Sequence, residues 1–379
     1  MKISKLLPLL AFATAIAIIS SCDKDNKEEE NSYQPTTYAD LSANGTANCY
    51  LISEVGGYKF KTVKGNTSVS VGNVAEASVL WESFGTDTKP NVGDLISSVS
   101  YKDGYIFFAT RSTFAQGNAV IAAKDNNGTI LWSWHIWCST EGWTEQEYFN
   151  NAGTMMDRNL GALSAKPGDV GALGLFYQWG RKDPFLGSSS ISSNTQAVST
   201  GEWSLSSELI THDLCIKNPM TFYGLPTGAG ENALPYNSWQ CNKTEYDPCP
   251  AGWKTPDYEV WKKAFSLNDT DHVFYSHSFE FEFDEKNRGM DLGGKLGSAP
   301  HIWFPAAGLL SEEYEIFGYL LGYTGSYGAY WGVGIRPSYG DSYNREGTCL
   351  FRIDVNSIYV DGCRPYAGGT YSVRCLKEE

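Results

Sequence analysis

The sequence predicts a β-rich α+β protein in which a small N-terminal β-sandwich precedes a larger region of short strands and long loops. Three observations carry this expectation. Aromatic residues make up 14% of the 379 positions and Gly fills 39 of them, a composition that favours strands and turns over helices. Apolar and polar residues alternate in short runs from residue 41 to residue 135, broken by Gly and Asn, which is the period of half-buried strands. Only one stretch, after Thr255-Pro256-Asp257, carries a clear helix start. A chain of this length also suggests more than one domain.

The first element is an address. Lys2 and Lys5 precede an apolar run from Leu6 to Ile19, and Ser20-Ser21-Cys22 follows. The run is short for a bilayer span and has the flanks of a signal peptide, residues 1–22. A Cys straight after Ile-Ser-Ser resembles the lipobox of bacterial lipoproteins, which implies lipid attachment at Cys22 and a membrane partner through that anchor. Each buried CH₂ of such a lipid contributes about 0.8 kcal/mol. Residues 23–40 read as an acidic and polar tether: a charge run from Asp23 to Glu30, then Gln34-Pro35-Thr36-Thr37. The acidic run resembles the surface-export signal of Bacteroidota lipoproteins, which implies an outer-membrane protein exposed at the cell surface.

The strands come next. Tyr50–Ser53, Tyr58–Val63, Ser68–Val71, Tyr105–Thr110, Ala119–Ala123 and Thr129–Trp134 alternate as strands should, with Asp125-Asn126-Asn127-Gly128 as a hairpin turn. Together they describe a β-sandwich over residues 41–135. From residue 136 to residue 379 the texture changes to Gly/Ser loops and clustered Trp. The helix there has Thr255 as its N-cap, Pro256 at its first position and Asp257 in its first turn. Tyr258, Trp261 and Phe265 then fall on one core-facing side.

Nine cysteines are present; apart from Cys22 they are Cys49, Cys138, Cys215, Cys241, Cys249, Cys349, Cys363 and Cys375. An even number beyond an export signal suits an oxidising compartment and up to four disulfides. Cys349 and Cys363 lie symmetrically about Asn356, and a hairpin folded there sets them opposite each other, with Cβ atoms about 4.5–5.5 Å apart. Cys249 with Cys375 would tie the start of a domain to its end, and closing so long a loop contributes about 5 kcal/mol in the chain-entropy model. Cys215 with Cys241, and Cys49 with Cys138, are left by elimination. No Cys-x-x-Cys occurs, so zinc spacing is missing. A formal charge of −14 argues against phosphate-backbone binding, and no nucleic-acid partner is expected.

Several phrases then combine. Met156-Asp-Arg-Asn-Leu-Gly161, Gly174-Leu-Phe-Tyr-Gln-Trp-Gly-Arg-Lys-Asp-Pro-Phe185, Asp247-Pro-Cys-Pro-Ala-Gly-Trp253, Trp303-Phe-Pro-Ala-Ala-Gly308 and Ser372-Val-Arg-Cys375 occur in this order. They resemble the Fibrobacter-type major paralogous domain. Asn48-Cys-Tyr-Leu-Ile52 and Ile130-Leu-Trp-Ser-Trp-His-Ile-Trp137 are similar to phrases of Bacteroidota surface lipoproteins that carry it. The resemblance implies a C-type-lectin-like fold for residues 136–379, distantly shared with formylglycine-generating enzymes. It also implies a disulfide from the region of the first helix to the last strand, which is Cys249–Cys375 here. Tyr330-Trp331 is followed by Gly332-Val333, where the family has two serines.

Catalytic motifs fail one by one. Thr324-Gly-Ser326-Tyr-Gly328 lacks the first Gly of a nucleophile elbow. Gly294-Lys295 is followed by Leu296, so no phosphate loop forms. Gly228-Ala-Gly230-Glu-Asn-Ala233 follows a Pro-containing loop and reads as a turn. The Arg-Gly-Gly-Ser-Trp phrase of the related oxidases is absent; Cys349 and Cys363, near Arg352 and Arg364, are what remains to imitate their reactive pair. Asp269, Asp271, His272 and His277 read as a solvated loop with fewer carboxylates than Ca²⁺ usually takes, Ca²⁺ being the competing reading, and His135, His212 and His301 stand singly. No cofactor is expected.

The segment from Tyr314 to Tyr343 mixes Tyr with Gly and Ser, the composition of many recognition loops. Tyr330, Trp331, Arg336, Tyr339, Asp341 and Tyr343 are the ligand-binding candidates, for a glycan or a protein. The expectation is a surface-anchored, non-enzymatic binding lipoprotein, an adhesin or recognition module. The alternatives are an accessory or tip subunit of a lipoprotein-derived pilus, joined by strand addition, and an oxidase of the formylglycine-generating type.

Overall fold

The alternating runs of the first hundred folded residues pair into two four-stranded sheets. The computed structural model describes residues 35–224, 234–264, 273–275, 282–292, 302–313, 318–333, 348–363 and 369–379. Eight strands precede residue 139: β1 (Ala39–Asp40), β2 (Cys49–Ile52), β3 (Gly57–Lys61), β4 (Glu76–Ser83), β5 (Ile96–Lys102), β6 (Tyr105–Thr110), β7 (Gly117–Lys124) and β8 (Ile130–Cys138). One sheet runs β1-β3-β6-β5 and the other β2-β8-β7-β4. Tyr58, Phe60, Ile106 and Phe108 of the first share a core with Ile121, Trp132, Trp134 and Ile136 of the second.

The second sheet is buried on both faces. While Trp132, Trp134 and Ile136 face the first sheet, Trp137 joins a separate core with Met156, Tyr177, Trp253 and Trp331. This explains the unbroken apolar run Ala119–Ala123, since a strand covered on both sides has no polar face to present. The expected break between residues 135 and 136 falls inside β8, which continues to Cys138. β8 therefore belongs at once to the N-terminal layers and to the core beyond them.

Three smaller expectations are corrected. Part of the expected tether is folded: β1 runs parallel to β3, with Ala39 opposite Tyr58, and a Cβ on Gly57 would meet Pro35 at 2.5 Å. Ser68–Val71 makes only an isolated bridge, Ser70 with Val63, because the backbone turns tightly from Lys64 to Thr67. The helix start also moves. Two α-helices lie among the described residues, α1 (His212–Lys217), which has no counterpart in the sequence expectation, and α2 (Tyr258–Ala264). The carboxylate of Asp257, not the Thr255 hydroxyl, accepts from Val260 N at 2.9 Å and caps α2. Thr255 and Pro256 are occupied elsewhere: Thr255 N donates to Asp247 and Pro256 O accepts from Val333 N. Tyr258 and Trp261 are buried as expected, while Phe265 lies outside the described residues.

The rest is β-rich with short pieces. An eight-stranded sheet places Tyr327–Gly332 between Thr348–Asp354 and Gly369–Ser372, with Leu309–Glu313 and Gly318–Gly322 at one end. A second sheet puts the last strand, Leu376–Lys377, between Trp253–Lys254 and Thr154–Met156. Cys375, just before that strand, is bonded to Cys249, 126 residues earlier.

Candidate recognition surface

The five ordered phrases converge on one interior. Met156 N donates to Cys375 O at 3.0 Å, Leu160 N to Val373 O at 2.8 Å, and Leu175 N to Leu160 O at 3.1 Å. The Arg374 guanidinium donates to Asn159 Oδ1 at 2.9 Å and lies 4.2 Å from the centre of the Phe304 ring. Asp247 is 1% exposed, and its carboxylate accepts from Cys249 N at 2.8 Å and Thr255 N at 2.9 Å. Burial pushes its pKa up, opposed by the nearby Lys243 charge and by those two backbone donors. The polar groups of these phrases are spent on buried structural bonds, some between phrases and some to neighbouring backbone, as where Arg181 donates to Thr221 O and Pro219 O.

Two ligand candidates belong to the same interior. Tyr330 and Trp331 are both 0% exposed. The Tyr330 hydroxyl donates to Pro305 O at 2.6 Å, and Trp331 Nε1 donates to Tyr177 O at 2.6 Å. Their strand has a neighbour on each side and a core on each face, so neither ring reaches solvent. The assignment of both as ligand contacts is corrected to core. Arg336, Tyr339, Asp341 and Tyr343 lie outside the described residues, as do Cys22, Arg364, His301 and the cluster Asp269, Asp271, His272 and His277.

The cysteines also part from expectation. Cys249–Cys375 is formed, whereas Cys49, Cys138, Cys215 and Cys241 are free thiols. Along the parallel pair β2–β8, Cys49 stands opposite His135 and Cys138 opposite Ile52. Three strand positions separate the two cysteines, about 10 Å, beyond the Cα separation of about 4.4–6.8 Å that a disulfide spans. Burial raises the pKa of both thiols. Cys215 packs with Ile210, Tyr223 and Leu234, while Cys241 is exposed. The hairpin carrying Cys349 and Cys363 turns between Val355 and Asn356, pairing Cys349 with Gly362 and Thr348 with Cys363. The Asp354 carboxylate fixes this two-residue loop by accepting from Asn356 N and the Ser357 hydroxyl. Two-residue loops are the favoured hairpin connection, and the one-residue shift removes the direct opposition of the two cysteines.

The described histidines are held singly. His135 Nε2 donates to Asn118 Oδ1 at 2.9 Å, and His212 stacks on Tyr246 with ring centres 3.8 Å apart. Among the described residues no group of three His, Cys, Asp or Glu side chains is placed to hold a metal ion.

What reaches the surface is a turn. Tyr323 follows Gly318–Gly322, has φ +60° and is 64% exposed. A bulky residue in the left-handed region is rare, and holding one there costs about 1–3 kcal/mol. The turn is anchored on two sides. Tyr323 O accepts from Ser326 N and Tyr327 N, both at 3.1 Å, and Gly325 N donates to Ala306 O at 2.8 Å. Thr324 N donates to Asn194 Oδ1 at 3.0 Å. Gly325 lies so close to the 187–196 loop that a Cβ there would stand 2.5 Å from Ile191 O. Ser192, Ser193, Asn194 and Thr195 of that loop are exposed. The Tyr/Gly/Ser composition of this segment was legible in the sequence; its contact with a loop 130 residues earlier was not.

A groove of about 700 Å³ lies elsewhere, beside Cys241, Asp257, Lys254 and Lys377. Its cations are already engaged: Lys254 Nζ donates to Cys241 O at 2.9 Å and Lys377 Nζ pairs with Glu145 at 2.8 Å. With this geometry in hand, comparison with known proteins adds no relative: no family model, no curated protein and no solved structure matches the chain.

Proposed function

We propose that this chain is a lipid-anchored, non-enzymatic binding protein of the outer membrane, exposed at the cell surface, in which a β-sandwich carries a C-type-lectin-like region outward. The observation that carries the reading is the Tyr323 turn. An aromatic ring is held in solvent at a backbone conformation that costs free energy, on a turn tied to two other segments. Strain of this kind is kept where a surface has a task, and rigid scaffolds that present Tyr and Ser on loops are built for recognition. The lipobox at Cys22 and the acidic run after it support the location. The Cys249–Cys375 bond and the convergence of the five phrases support the lectin-like reading of residues 136–379.

The test is binding by the intact chain to a mixed array of glycans, mucins and matrix proteins. Retention of at least one ligand class is expected. Failure to bind any member, together with turnover of a thiol substrate at Cys349 or Cys363, would replace the reading by the oxidase alternative.

A further inference from the structure

We infer that the Tyr323 turn and the neighbouring 192–195 loop form one binding surface for an uncharged glycan. This inference rests on the binding-protein reading above and supplies its ligand class. Three features select the ligand. The first is the ring, 64% exposed and fixed at its root by the three bonds that Tyr323 O accepts, from Ser326 N, Tyr327 N and the Ser326 hydroxyl, each at 3.1 Å. A flat aromatic face with negative π-density receives the polarised C–H groups of a pyranose face, and a backbone already held in place has little entropy left to lose on doing so.

The second feature is the rim. Thr324 N on Asn194 Oδ1, and Gly325 against Ile191 and Ser192, bring the exposed Ser192, Ser193, Asn194 and Thr195 beside the turn. Hydroxyl and amide groups both donate and accept, which matches a ligand whose own hydroxyls do the same. The third is charge. Residues 187–196 and 318–333 contain no Asp, Glu, Lys, Arg or His. Neither segment supplies a cation, and the nearest charged residue in register, Asp354 opposite Tyr327, is acidic, so a phosphate, sulfate or carboxylate finds no partner here and the sugar taken is neutral.

The experiment measures the intact detergent-solubilised chain against immobilised hexasaccharides of glucose, mannose, galactose, xylose and N-acetylglucosamine. At least one is retained by the unaltered protein. Tyr323→Ala weakens that binding at least ~10-fold, Tyr323→Trp keeps it within ~3-fold, and Ser192→Ala weakens it ~3-fold. Raising salt from low to high concentration changes the affinity less than ~2-fold, since no charge pair is screened. Thermal unfolding of each variant separates loss of binding from loss of fold. Sugar binding that survives Tyr323→Ala in a folded variant overturns this site and leaves the binding-protein reading standing. Binding to a protein ligand with no hexasaccharide retained overturns the glycan assignment alone. Failure against glycans and proteins together overturns both.

Discussion

The side-chain amide of Asn48 donates to the main-chain oxygen of Asp247 at 2.8 Å, across 199 positions of sequence. The same amide nitrogen reaches Glu245 O at 2.8 Å, and Asn48 Oδ1 accepts from Trp132 Nε1 at 2.9 Å. One buried side chain therefore ties β2, β8 and the loop ahead of the disulfide into a single unit. Loss of Asn48 removes the donor to one buried and one half-buried carbonyl and the acceptor of a buried indole N–H. Asn48→Ala is expected to destabilise the fold by about 2–4 kcal/mol, since each orphaned buried group costs about 1–3 kcal/mol and part of that is recovered by relaxation. Urea midpoints of the variant and the parent check this.

The Cys249–Cys375 bond closes the longest loop in the described structure that any covalent link spans. Removing it by Cys249→Ser with Cys375→Ser is expected to cost about 3–5 kcal/mol, as unfolded-state entropy rises and two buried hydroxyls replace the bridge. Cys241→Ser, at an exposed free thiol, should stay within about 0.5 kcal/mol of the parent. Equal losses in the two experiments would show that Cys241, and not the mapped bridge, carries the covalent link.

Tyr330 and Trp331 act through packing. Tyr330→Phe removes the donor to Pro305 O and is expected to cost about 1–2 kcal/mol. Trp331→Ala empties a site shared with Trp179 and Tyr371 and should cost about 3–5 kcal/mol. Denaturant curves are the measurement, and ligand affinity of the folded Tyr330→Phe protein should equal that of the parent. A selective loss of affinity at unchanged stability would return Tyr330 to the ligand contacts.

His135 makes stability depend on pH. Burial in β8 pushes its pKa from 6.5 down to about 3, so the folded state keeps the ring neutral while the unfolded chain takes up a proton below 6.5. The unfolded state then binds more protons, and stability rises with pH across that window. The contribution is complete above pH 6.5 and is lost as pH falls toward 3, by about 1.4 kcal/mol per unit. His135→Gln keeps an amide beside Asn118 and removes the titration. Its urea midpoint should fall less than the parent's between neutral and mildly acidic pH, and parallel curves would contradict the assignment.

Tyr323 predicts a stability that moves against function. Tyr323→Gly places in the left-handed region the residue that accepts it without strain, and should hold or raise stability by up to about 1 kcal/mol. The same change removes the exposed ring. Calorimetry of the variant checks the first statement, and a clear destabilisation would mean that the ring contributes packing which outweighs its backbone cost.

Elements whose signals are local can be read from the amino-acid order alone. Short apolar-polar runs placed β2, β3, β6 and β8, an unbroken apolar run placed β7, and the apolar, capped stretch after Thr255 placed α2, because strand and helix patterns are written into neighbouring residues. The bond between Cys249 and Cys375 was legible through the resemblance of its flanking phrases. Tertiary structure decided the rest. The helix cap moved from Thr255 to Asp257 because Val333, 76 positions later, takes the preceding backbone. The cysteine hairpin shifted by one because Asp354 fixes a two-residue loop. Tyr330-Trp331 reads like a recognition pair, yet two neighbouring strands and two cores enclose it, while Tyr323, of the same composition seven residues earlier, stands in solvent. Composition reports which residues suit a surface or a core; which of them the fold covers depends on partners distant in sequence, and those meet only when the chain closes on itself.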